Sequence, residues 1–174
     1  MMKKRSVLLV AAFAFLAFAI PAQAQTTLYL GAGGSFPTGD FGEYANTGWM
    51  GVGGVIFGVG ESGFGVGGEV FYGQNNHGVE GVDLNSKTTP YGVMAIFDYS
   101  FGQPDAMQPY VFGGLGLLVH KFSADGFDSE SESQFGYQAG AGLAFPMGLF
   151  IEGRYMGAAD TKYFAALAGW AFDL

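Results

Sequence analysis

One pattern recurs eight times between Thr27 and Leu174: apolar residues alternate with small or polar ones, and turn residues close each segment. A period of two sends successive side chains to opposite faces, which is what a strand does and a helix does not. Glycine points the same way, because 31 of the 174 residues are Gly and each costs about 1 kcal/mol inside a helix. The predicted strands are Thr27 to Phe36, Gly48 to Gly60, Phe64 to Asn75, Thr89 to Phe101, Pro109 to Phe122, Gln134 to Phe145, Leu149 to Ala158 and Lys162 to Leu174. Most reach ten residues or more, whereas globular strands average about five or six and a tilted strand crossing a bilayer needs about 9–11. With 18 Phe and 9 Tyr the chain carries too much apolar surface to stay disordered. It has no cysteine, so no disulfide holds it.

The first 24 residues differ from the rest. Lys3, Lys4 and Arg5 precede an apolar run of 14 residues, Val7 to Ile20, and Ala22-Gln23-Ala24 forms a small-x-small cleavage site. This is the layout of a signal peptide, with cleavage expected before Gln25. As a helix the run would rise about 21 Å, short of the ~30 Å hydrocarbon core that an anchor must cross. No Cys follows it to carry a lipid. The expected organisation is therefore a leader over 1–24 and one domain over 25–174. Without the leader, Lys87, Lys121, Arg154 and Lys162 face 15 acids, a net charge of 4 − 15 = −11. Nucleic acid is excluded as a partner, since phosphate binding needs clustered Lys and Arg.

The links between strands sort by size. Long polar stretches follow the first, third and fifth strands (Pro37 to Thr47, Asn76 to Thr88, Ser123 to Ser133), while Glu61-Ser62-Gly63, Gly102 to Gln108 and Pro146-Met147-Gly148 are shorter. An even-stranded membrane barrel has this alternation, with long loops outside and short periplasmic turns. The last outer link, Ala159 to Thr161, is short.

Charge placement sets the orientation. Phe64, Val66, Gly68, Val70 and Tyr72 oppose Glu69; Tyr91, Val93, Ala95, Phe97, Tyr99 and Phe101 oppose Asp98; Leu149, Ile151, Gly153 and Tyr155 oppose Glu152 and Arg154. In the last strand Phe164, Ala166, Ala168, Trp170, Phe172 and Leu174 share a face. A soluble sandwich also alternates, but here the face opposite the apolar one is Gly, Ala, Met and a few charges, unsuited to an outer surface. It suits the narrow interior of an eight-stranded barrel. A cation facing lipid at the midplane costs about 2–4 kcal/mol, so the charges are expected inside and the apolar faces outside. The second and fifth strands are apolar on both faces, which leaves their phase open. Trp49, Tyr72, Tyr91, Tyr137 and Tyr155 fall towards the long-loop end, and Tyr99, Phe101, Phe145, Trp170 and Phe172 towards the short-turn end, as interfacial girdles do. Lipid supplies no hydrogen-bond partners, so the first strand must pair with the eighth.

The leader, the eight strands, the Pro109-Tyr110-Val111-Phe112-Gly113-Gly114-Leu115-Gly116 segment, the Glu152-Gly153-Arg154-Tyr155 segment and the aromatic last strand together resemble the small outer-membrane β-barrel family. Its members are porin-like, OmpX-like or opacity-protein-like. The resemblance implies an all-β, eight-stranded antiparallel up-and-down transmembrane barrel in the outer membrane. The partners it implies are outer-membrane lipid and lipopolysaccharide, the barrel assembly machinery, and an extracellular ligand or host surface. Family barrels usually finish on an aromatic residue, whereas this chain finishes on Leu174, and no periplasmic domain is expected after the last strand.

Four residues are expected to meet in the lumen: Glu69, Asp98, Glu152 and Arg154. Isolated charges are expensive there, so pairing follows, and the bland outcome is a plug of paired charges. A narrow porin-like channel or transporter for small or hydrophobic solutes is the alternative. Asp125, Asp128, Glu130 and Glu132 resemble a calcium loop only in their acidity, because the ordered ligand positions and turn glycine of an EF-hand are missing. With Asp40, Glu43, Glu80 and Asp83 they make the long-loop end acidic. Some relatives act on lipid A, but the two histidines, His77 and His120, lack a nucleophile and base at workable spacing. No enzyme and no cofactor is expected. The role expected is structural or surface-interacting.

Overall fold

A computed structural model describes residues 25–60, 62–79, 82–103, 105–124, 129–159 and 161–174. The expected leader lies outside these residues. Eight strands occur among them: β1 (Thr26–Thr38), β2 (Gly48–Gly58), β3 (Phe64–Val79), β4 (Val82–Ser100), β5 (Gln108–Ala124), β6 (Glu130–Ala144), β7 (Leu149–Ala158) and β8 (Thr161–Asp173). Each pairs antiparallel with the next, and β1 closes on β8 from Thr27↔Asp173 to Thr38↔Lys162. Closure leaves no open edge, as spanning a bilayer requires.

The strands start and stop close to the predicted limits at the short-turn end, where Gly63 (φ 76°) and Gly148 (φ 88°) take the left-handed backbone that their tight turns require. At the long-loop end they run further than expected. The polar segments read as loops, Asn76 to Thr88 and Ser123 to Ser133, are largely ladder: Asn75↔Thr88, His77↔Ser86, Lys87↔Ser123 and Lys121↔Ser131 are all paired. Polarity marks these stretches as wetted, not as unpaired, because a hairpin in water gains the same backbone bonds. β4 consequently has 19 residues and β7 only 10. The first long link also holds structure, a 3₁₀ turn at Gly39–Glu43.

Orientation follows the charges. Leu30, Val70, Phe97, Leu115, Phe135, Ile151 and Phe172 are exposed on the outer wall, while Glu69 and Arg154 are buried in the lumen. The open phases are now fixed. In β2, Met50 and Val52 point inward and Trp49 outward; in β5, Phe112 and Leu118 point inward, and Val111, Leu115 and Leu117 outward. The outer aromatics cluster as predicted, with Trp49 5.7 Å from Tyr72, Tyr72 6.5 Å from Tyr91, and Tyr137 6.5 Å from Tyr155. At the other rim Tyr99 lies 4.8 Å from Phe64 and 4.7 Å from Phe101.

The interior alternates rings with bare backbone. Tyr29 lies over Gly54 and Tyr110 over Gly142, so closely that a Cβ added at Gly142 would stand 2.4 Å from the Tyr110 ring and 2.6 Å from the Ile151 carbonyl oxygen. Gly142→Ala is therefore expected to destabilise by about 1–3 kcal/mol through overpacking, read as a lower urea midpoint in lipid vesicles. Gly113→Ala is the control, because its nearest neighbour is 3.8 Å away. Equal midpoints for the two variants would refute the packing argument.

Candidate functional site

The lumen is organised around Arg154 on β7. A strand directs residues i and i+2 to one face, so Glu152 points inward beside it, and Gln138 reaches in from neighbouring β6 (Gln138↔Met156). Glu69 comes from β3, four strands away in a ring of eight and hence on the opposite wall. Arg154 crosses the lumen and donates to both Glu69 oxygens, Nη1 to Oε1 at 2.6 Å and Nη2 to Oε2 at 2.9 Å. Its Nε donates to Glu152 Oε1 at 2.9 Å, and its Nη2 also contacts that oxygen. The side-chain amide of Gln138 donates to Glu69 Oε1 at 3.0 Å and its Oε1 accepts from Arg154 Nη1 at 3.0 Å.

Two carboxylates against one guanidinium leave an excess negative charge, which two hydroxyls disperse. Tyr29 on β1 donates to Glu69 Oε2 at 2.8 Å, and Tyr110 on β5 donates to Glu152 Oε2 at 2.8 Å. The guanidinium carbon also stands 4.9 Å over the Phe112 ring. All four carboxylate oxygens thus have donors, and Arg154 is 1% exposed. A buried ion pair is tolerable under those conditions.

Of the four residues expected to meet, three do. Asp98 stays apart: it opposes Gly65 and Phe112 at the short-turn end, and its Oδ1 has no hydrogen-bond partner among the described residues. The guanidinium is already occupied by Glu69 and Glu152, and Asp98 sits closer to the rim. Below the crossing side chains is a cavity of about 630 Å³, lined by Asp98, Tyr29, Tyr110 and the Arg154 group and open at the short-turn end. Above them Met50, Met94, Leu118 and Met156 are fully buried. Tyr29, Tyr110, Gln138 and Phe112 were not anticipated. Phase was an available signal for Tyr29, which alternates with outward Leu28 and Leu30, but not for Tyr110, because β5 is apolar on both faces.

The mouth at the long-loop end is also stopped. Phe41, carried by the 3₁₀ turn, is 3% exposed and packs 5.1 Å from Tyr163 and 5.5 Å from Tyr44. The turn is tied down by Asn46 N–H to the Asn76 carbonyl at 2.8 Å. His77, expected in a loop, lies on β3 with Nε2 2.7 Å from Thr88 Oγ1 and its ring stacked 5.7 Å from Tyr44. Burial holds its imidazole below the usual value. His120 stacks on Tyr163 at 5.8 Å. Of the acidic loop set, Asp125 and Asp128 lie outside the described residues; Glu130 and Glu132 are exposed on β6. No group of three or more His, Cys, Asp or Glu among the described residues is placed to hold a metal.

A sequence profile of the outer membrane protein beta-barrel domain matches residues 6–171. The chain belongs to that outer membrane β-barrel family. In outer-membrane barrels the short turns face the periplasm and the long loops face outward. Among solved structures, the Neisserial surface protein A of Neisseria superposes with a TM-score of 0.64 at 14% identity, covering 86% of this chain and 97% of that one. The attachment invasion locus protein of Yersinia pestis, Ail, solved with the heparin analogue sucrose octasulfate, superposes with a TM-score of 0.52 at 21% identity, covering 86% and 99%. At these identities the likeness is one of fold. No protein of curated function matches the sequence.

Proposed function

We propose that this outer-membrane barrel is a closed scaffold that presents its outer loops to the surroundings and does not conduct solutes. The observation that carries this is the Arg154–Glu69 crossing from wall to wall, in series with a buried methionine layer and Phe41 at the mouth. The loop surface is acidic at Asp40, Glu43, Glu130 and Glu132, with Asp125 and Asp128 beside them in sequence. It therefore suits a cationic ligand or host surface, whereas Ail was solved with a sulfated one. Outer-membrane lipid, including lipopolysaccharide, and the assembly machinery complete the proposed partners. The leader 1–24 is removed before Gln25 in this reading, so N-terminal sequencing of protein extracted from membranes should begin at Gln25; a start at Met1 would refute cleavage.

A second reading, a narrow channel for small or hydrophobic solutes, is favoured by the 630 Å³ cavity, which already opens the periplasmic half of the path. Planar-bilayer recording separates the two. The closed scaffold predicts no stable conductance for the unaltered protein. Large stable currents that Arg154→Ala reduces or Glu152→Gln alters would establish the channel instead.

A further inference from the structure

The barrel sorts its charges by face. Every described acid on the spanning part of the wall, Glu69, Asp98 and Glu152, points inward, yet two of the four cations that follow the leader point outward together. Lys87 and Lys121 are exposed, on the outward phase of β4 and β5. The pairs Lys87↔Ser123 and Thr89↔Lys121 make them diagonal neighbours, about 7–8 Å apart. Neither side chain makes an ion pair or hydrogen bond among the described residues. Around them the outward positions Gln74, Asn76, Ser131 and Ser133 are all hydrogen-bonding and none is acidic, Thr89 between them is buried, and the exposed Glu130 and Glu132 flank Ser131 on the opposite phase of β6.

Directly below is an apolar groove of about 870 Å³ on the outer wall, bounded by Trp49, Tyr72, Tyr91, Leu117 and Val119. Gly51 forms its open floor, with no atom nearer than 3.8 Å to where a Cβ would stand, whereas the place of a Gly53 side chain is taken by Leu30. Lys121 stands two residues beyond Val119 and Lys87 four beyond Tyr91, about 7 and 13 Å along their strands. A groove for acyl chains therefore lies one step below a paired cationic site, at the level of the outer girdle. The opposite wall also has an apolar groove, of about 630 Å³ and bounded by Ala32, Ala141, Ile151, Ala166 and Ala168, but the one cation above it among the described residues is Lys162, half-buried with its stem against Gly157.

We infer that the β2–β5 face is a binding site for one phosphorylated, multiply acylated glycolipid of the outer leaflet. Its acyl chains lie over Gly51, and its phosphate is held by Lys87 and Lys121. This rests on the outer-membrane placement and deepens the lipid partner proposed above. It does not need the barrel to be closed.

The test reconstitutes the purified protein in phosphatidylcholine vesicles with a minor fraction of diphosphorylated lipid A, then counts retained lipid A by native mass spectrometry. Each interfacial cation near an anionic surface contributes about 1 kcal/mol, so Lys87→Gln with Lys121→Gln should cut retention at least tenfold. Gly51→Leu should lower it too without harming the fold, because the nearest atom to a Cβ there is 3.8 Å away. Lys162→Gln should leave it unchanged, and dephosphorylated lipid A should bind the unaltered protein as weakly as lipid A binds the double variant. Undiminished retention by the double variant, or an equal loss with Lys162→Gln, overturns the site. Failure of the unaltered protein to insert into vesicles would overturn the membrane barrel itself, a distinguishable result.

Discussion

Arg154→Ala is expected to lower the unfolding free energy by about 3–5 kcal/mol, the usual consequence of leaving buried charges without their partner. Glu69 and Glu152 would then face each other across the lumen with only Tyr29, Tyr110 and Gln138 as donors. Urea unfolding in lipid vesicles, followed by the fluorescence of Trp49 and Trp170, measures the loss. Removing all three charges together, as Arg154→Met with Glu69→Gln and Glu152→Gln, should recover most of it, since a neutral, well-packed replacement of a buried ionic triad is often no less stable. If the alanine variant unfolds at the unaltered midpoint, the crossing is not what stabilises the barrel.

The second large effect concerns the other face. Leu115 lies mid-wall on β5 and is 51% exposed, a position that in water would accept any polar residue at little cost. In a bilayer Leu115→Arg should destabilise by about 2–4 kcal/mol, whereas Lys121→Arg, six residues nearer the outer end, should change stability by less than about 0.5 kcal/mol. The comparison is made by equilibrium unfolding in vesicles. A Leu115→Arg midpoint equal to that of Lys121→Arg would remove the lipid-facing assignment of this wall.

How much of this was legible before the structure depended on whether one strand carried the information by itself. Glu69, Glu152 and Arg154 each oppose a clean apolar face on their own strand, so their inward direction could be read from the sequence. β2 and β5 could not be phased, because glycine lets both faces look apolar; only their neighbours reveal that Gly54 is bare to receive Tyr29, and Gly142 to receive Tyr110. The separation of Asp98 was hidden for a related reason. Its direction was visible but its height was not, since height depends on stagger between strands. Phe41 was missed inside a link read as polar, although a lone large ring in such a stretch is itself a signal of something to cover.

The unequal strands have one more consequence. Beyond the outer girdle β4 continues nine residues past Tyr91, whereas β7 continues only three past Tyr155. Six extra residues on a tilted strand lift one side of the rim by roughly 15 Å. The crown is thus a parapet with a gap in it. A bulky visitor such as an antibody or another cell's coat meets the tall hairpins first, and comes nearest the bilayer on the low side, where β2, β7 and β8 end just past the girdle.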